Sequence, residues 1–78
     1  MDITEFIEKF AGQFMVTEPS EFIKDTVFHE LDEYTSLIAL MIISMIDEEY
    51  GVTVEYDDMA AAVTIEDLFN TVKRLKGE

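Results

Sequence analysis

Apolar side chains recur at Ile3, Phe6, Ile7, Phe10 and Phe14, a spacing that places them on one face of a helix. Glu5, Glu8, Lys9 and Gln13 fall on the other face, toward water. The pattern fades at Val16-Thr17-Glu18-Pro19, because Pro19 lacks a donor and disfavours helix at the residue before it. Residues 17–35 read as a long connection. Phe22, Ile23, Val27, Phe28 and Leu31 are available to pin it to a core, and Ser20 is placed to cap a short turn.

A second helix is expected from Thr35 or Ser36 to about Tyr50, stopped by Gly51 where helices favour glycine. Its Ala39, Ile42, Ile43, Ile46 and Tyr50 form a face sufficient for a bundle core. Ile38, Met41 and Met45 then fall on the other side, with Leu37 and Leu40 flanking. Val52-Thr53-Val54 reads as an extended connector, and Asp57 and Asp58 open a short third helix through Met59 and Ala60 to Ala62. Thr64-Ile65-Glu66-Asp67 has the form of a capping box. Ile65, Leu68, Phe69, Val72 and Leu75 make the stripe of a last helix, which ends in Lys73, Arg74 and Lys76 before Gly77. The expectation is an all-α fold: a small four-helix bundle with three longer helices and a short third one, in a single domain over residues 1–78.

Composition narrows the function. The 78 residues are 49% apolar and carry a formal net charge of −13. Such a chain has too much apolar surface for a disordered acidic tail. Its charge repels phosphate, which speaks against nucleic acid and against an anionic membrane surface. With no cysteine and one histidine there is no disulfide, thiol nucleophile or multi-histidine metal site. The start Met1-Asp2-Ile3-Thr4-Glu5 is acidic where a signal peptide is basic. The longest apolar stretch, Leu37 to Ile46, is about half of what a membrane span needs. A cytoplasmic protein without membrane insertion is expected.

The stretch from Phe28 to Val54 carries the most information. Ser36-Leu37 opens a helix, branched apolar residues follow, and Asp47-Glu48-Glu49-Tyr50 closes it. Asp25-Thr26-Val27-Phe28 precedes this motif, and Thr64-Ile65 begins the last helix at a matching distance. In this framing, length and charge the chain resembles the acyl carrier proteins, closely over residues 25–56 and loosely over the first twenty. It departs from the family pattern at Thr35, where aspartate is usual, and at Glu33 and Tyr34, which replace a small glycine-containing approach. Ile38 and Met41 are apolar where fatty-acid carriers tend to be polar. These features indicate a divergent or specialised member.

The resemblance implies a four-helix bundle of the acyl-carrier type. It also implies that a phosphopantetheinyl transferase moves 4′-phosphopantetheine from coenzyme A onto the Ser36 hydroxyl. The protein is then a monomeric shuttle and not an enzyme, with no catalytic and no metal-binding residues. It delivers thioester-bound intermediates to ketosynthases, acyltransferases and related enzymes of fatty-acid or polyketide biosynthesis. Thr35, Leu37, Ile38, Met41, Met45, Asp47, Glu48, Asp57 and Asp58 form the expected docking face. The interior between the helices is expected to accept part of an acyl chain.

Plainer readings stand beside these. Ser36 alone is an ordinary N-cap candidate. The acidic residues alone make a solvated face, His29 a loop residue, and Tyr34 an anchor for the loop before the serine. The alternative function is an unmodified acidic adaptor that binds proteins without a prosthetic group, which Thr35 favours. A peptidyl carrier fits less well, because the chain is so acidic. A calcium-binding bundle lacks the alternating-acid loop with a central glycine.

Overall fold

A computed structural model describes all residues, 1–78. Four α-helices form: α1 (Ile3–Ala11), α2 (Ser36–Tyr50), α3 (Tyr56–Ala61) and α4 (Ile65–Lys76). There are no strands, and one isolated antiparallel bridge joins Val27 to Thr64. α1 packs on α2 and α4, and α4 also packs on α2 and α3, so the last helix touches each of the others. No helix is long and apolar enough to cross a membrane.

Local chemistry sets the helix ends. Asp2 caps α1 by accepting the Thr4 N–H at 3.3 Å. At α4 the expected capping box is present. Asp67 N–H donates to the Thr64 hydroxyl at 3.1 Å, and Thr64 N–H donates to the Asp67 carboxylate at 3.0 Å. Gly51 and Gly77 end α2 and α4 with φ of 71° and 83°, the left-handed region that favours glycine. α3 spans one residue more at its start and one less at its end than expected. The Asp58 carboxylate accepts the Glu55 N–H at 3.0 Å and so fixes the first turn there.

The 12–35 connection is ordered by its own anchors. It contains two 3₁₀ turns, Pro19–Glu21 and Phe28–Glu30. Ser20 lies inside the first and does not cap it, because Pro19, which needs no donor partner, already takes the first position. Phe22 and Phe28 are buried as expected, whereas Ile23 is 57% exposed. The Thr26 and Lys24 carbonyls accept the Ile65 and Glu66 N–H groups at 3.1 and 3.0 Å. These are donors that the first turn of α4 cannot satisfy within the helix.

All 17 buried residues are apolar, and they include all six phenylalanines. Phe10, fully buried, lies 6.5, 5.6, 6.1 and 5.4 Å from the ring centres of Phe6, Phe14, Phe22 and Phe28. These distances fall in the favourable range for tilted and edge-to-face rings. Phe6 extends the cluster to Phe69 on α4 and to Tyr50 at the end of α2.

Glu33 supplies a polar clamp over the same connection. Its carboxylate accepts the backbone N–H groups of Met15, Val16 and Thr17 at 2.6, 3.0 and 2.9 Å, and the Thr17 hydroxyl at 2.8 Å. These donors favour the charged form and lower its pKa from 4.5 to about 2.

Phe10→Ala removes the ring shared by four neighbours and is expected to cost about 3–5 kcal/mol, measured by denaturant unfolding. That is a large part of the stability of so small a domain. For Glu33, the folded pKa is depressed, so the clamp stabilises the fold fully above pH 4.5 and loses that contribution as pH falls toward 2. Glu33→Gln is therefore expected to melt lower at neutral pH and to show a shallower acid-induced fall in Tm. The part of the fall carried by Asp67, also depressed by its capping hydrogen bonds, remains.

Candidate functional site

The start of α2 divides two jobs between adjacent hydroxyls. Thr35 has extended backbone and accepts the Ile38 N–H at 3.3 Å, so Thr35 is the cap. Ser36 takes the first helical position, is exposed, and is not drawn into capping. The first turn of α2 contains no acidic residue, whereas those of α1, α3 and α4 contain Glu5, Asp57 with Asp58, and Glu66 with Asp67. The positive end of the helix dipole is thus left unneutralised at Ser36 alone among the four starts. Glu33, three residues before Ser36, spends its charge on the 15–17 backbone.

Ser36 lies on the wall of a cleft of about 170 Å³ between the start of α2 and α3. Tyr34, Thr35, Ser36 and Ala39 line one side, Tyr56, Met59 and Ala60 the other, and His29 also contributes. Tyr34 meets Phe28 and His29 edge-on at 5.2 and 5.0 Å, which anchors the approach to Ser36 in the aromatic core. Burial, with Tyr56 nearby, pushes the Tyr34 phenol above its usual pKa. Two larger clefts, of about 470 and 450 Å³, lie along the 16–33 segment and beside α1, and neither includes Ser36.

The expected docking face is corrected at two residues. Ile38 and Met45 are 7% and 6% exposed and belong to the core, and Met41 is half-buried against it. The exposed stripe of α2 is Leu37, Leu40, Ser44, Asp47 and Glu48, with Leu37 66% and Leu40 47% exposed. The buried arc is Ile38, Ala39, Ile42, Met45 and Ile46, with Ile43 and Tyr50 only partly covered. At about 100° per residue, the helix is rotated by roughly 60° from the expected packing. The reason lies in α2 itself: an almost wholly apolar helix carries little angular information, so its neighbours choose the face. Asp57 is exposed, while Asp58 is half-buried and occupied in capping α3.

Sequence reasoning also missed a contact of His29. Its Nε2 lies 2.8 Å from the Met59 carbonyl and 3.0 Å from that of Ala62. A lone histidine in a connection gives no periodic signal for a bond that spans thirty residues. No group of three or more His, Asp or Glu residues is arranged to hold a metal ion. No family model matches the chain, and no curated protein or solved structure matches it.

The corrected face is testable by stability. Ile38→Ala is expected to cost about 2–5 kcal/mol. Leu37→Ala is expected to fall within about 0.5 kcal/mol of the parent. Paired denaturant melts read both, and a reversed order would restore the original face.

Proposed function

We propose that this protein is an acyl carrier protein that bears a 4′-phosphopantetheine arm on Ser36. One observation carries the reading: Ser36 is an exposed hydroxyl at an acid-free helix start, relieved of capping by Thr35 and set at the mouth of an apolar cleft. The surroundings fit the arm. Free N–H groups and the helix dipole favour a phosphate bonded to the Ser36 oxygen. The adjacent cleft offers Ala39, Met59 and Ala60 to an apolar group. The arm supplies a thiol for holding acyl groups as thioesters, which a chain without cysteine does not have.

The chain's own residues do the rest. Leu37 and Leu40 present apolar surface beside the attachment point, and Asp47 and Glu48 continue that stripe with negative charge. Together with exposed Asp57 they attract basic partner surfaces at long range and leave the apolar pair to be covered on contact. Covering each leucine gains roughly 1.5–3 kcal/mol at full burial. Phosphopantetheinyl transferases, ketosynthases and acyltransferases are the partner classes this surface suits. The fold, on this reading, is the acyl-carrier type of four-helix bundle, and the protein works as a cytoplasmic monomer.

Incubation with coenzyme A and a broad-specificity phosphopantetheinyl transferase is expected to add one phosphopantetheine mass, with none added to Ser36→Ala. Intact-protein mass spectrometry reads the result. Absence of the added mass on a folded protein removes the carrier reading and leaves the unmodified adaptor.

A further inference from the structure

α3 has only six residues, well short of what an isolated helix needs to persist in water. It stays helical because other parts of the chain hold it. Met59 and Ala62 are buried in the core, and Asp58 with Glu55 closes its first turn. Its last carbonyls have no partner further along the helix. The N–H of Val63, which a longer helix would direct to Met59, instead donates to Asp67 at 3.2 Å. The Met59 and Ala62 carbonyls are met by one atom from far away in the chain, Nε2 of His29, at 2.8 and 3.0 Å. Both partners are acceptors, so this nitrogen carries the proton and donates to the two of them.

The imidazole is itself fixed from behind. It stacks on Phe28 at 4.5 Å and meets Tyr34 edge-on at 5.0 Å. Phe28 in turn packs on Phe10, the hub of the core. His29 therefore transmits the position of the rigid core to the end of α3. Met59 and Ala60 of that helix, together with Tyr56, form the wall of the cleft facing Ser36. At about 170 Å³ the cleft has room for roughly six water-sized groups.

We propose that His29 is a latch that sets the width of the Ser36 cleft and thereby restricts its occupant to a short acyl chain. The latch itself is a property of the chain as it stands, and the chain-length selection rests on the carrier reading. His29 acts through α3 and is a positioning residue. Seating a bulkier occupant between α2 and α3 needs α3 to move outward, which breaks the hydrogen bonds to the Met59 and Ala62 carbonyls.

The test has two readouts that fail separately. The first needs no modification of Ser36: amide hydrogen exchange of residues 59–62. His29→Phe keeps the ring but loses the donor, and exchange there is expected to quicken about fivefold, as for one net hydrogen bond. Exchange in α2 and α4 should stay unchanged. His29→Gln places an amide donor near Nε2 and is expected to restore protection. If His29→Phe does not fold, His29→Asn, whose amide falls short of the carbonyls, takes its place. Unchanged exchange at residues 59–62 overturns the latch.

The second readout is hydrolysis of butanoyl, octanoyl and hexadecanoyl thioesters loaded on Ser36 through the arm. The parent protein is expected to protect the butanoyl ester and to leave the longer ones close to the rate of free acyl-pantetheine. His29→Phe should bring the three rates together, and His29→Gln should separate them again. Equal chain-length discrimination in parent and His29→Phe proteins overturns the selective role. Failure to load Ser36 at all counts against the carrier reading and leaves the exchange result to decide the latch.

Discussion

The packing of aromatic rings around Phe10 is the constraint on which the other contacts depend. Phe10 sits on α1, yet its four ring neighbours come from α1, from the chain just after it, and from both halves of the long connection. Phe6 adds α4 through Phe69 and the end of α2 through Tyr50. Most of the twenty-four-residue 12–35 connection, which has no α-helix, is thereby tied to the bundle by side chains rather than by backbone pairing. This short chain has no cysteine for a disulfide and no cluster of three metal-ligating side chains to hold such a segment, so large rings are the efficient choice. Each buries much area with few rotatable bonds. The same cluster passes through Phe28 to His29 and Tyr34, and so fixes the position of Ser36.

Charge is handled in a complementary way. A net charge of −13 on 78 residues works against compaction. Part of that burden is relieved by giving carboxylates backbone N–H partners. Asp2, Asp58 and Asp67 cap helices, and Glu33 gathers three amides of the 15–17 turn. Lys9 does similar work between helices, with Glu5 at 2.7 Å and Glu49 at 3.1 Å, and these contacts raise its pKa. Being partly exposed, such ion pairs add little stability each and weaken with salt. The carboxylates that find no such use include Asp47, Glu48 and Asp57, on α2 and at the start of α3.

What was legible in the chain was what local chemistry decides. The ends of α2 and α4 follow from Thr35, Gly51, Thr64, Asp67 and Gly77, each acting within about one turn of itself. The apolar face of α4 was legible from Ile65 to Val72 because polar residues mark its other side, whereas Leu75, expected on the same stripe, is 40% exposed in the last turn. On α2 they scarcely do, and Ile38 and Met45 turned inward while Leu37 and Leu40 remained outside. His29 and Glu33 were illegible for a different reason. Their partners lie about thirty and about seventeen residues away, and nothing in either flank signals them. Both act on the Ser36 region, one by setting the facing helix and the other by ordering the approach. The site is therefore less readable than the fold, because its geometry is made by long-range contacts of single polar residues.

The case for function rests on where this sequence forgoes stability. A helix start without an acid gives up about 0.3–1 kcal/mol of favourable dipole interaction. Acids are abundant here, and the other three helices use them. Exposed leucines on a helix favour association with other surfaces over solubility. A bundle selected only to fold has no reason to place both on one helix, beside a serine left out of capping. An adaptor accounts for the leucines, which only need a partner. It does not account for the acid-free turn, because a protein surface attracted by the flanking carboxylates gains nothing from an unneutralised positive dipole. An anionic group bonded to Ser36 does gain from it. That asymmetry is why the phosphate-bearing arm, rather than docking alone, is the stronger explanation of this end of α2.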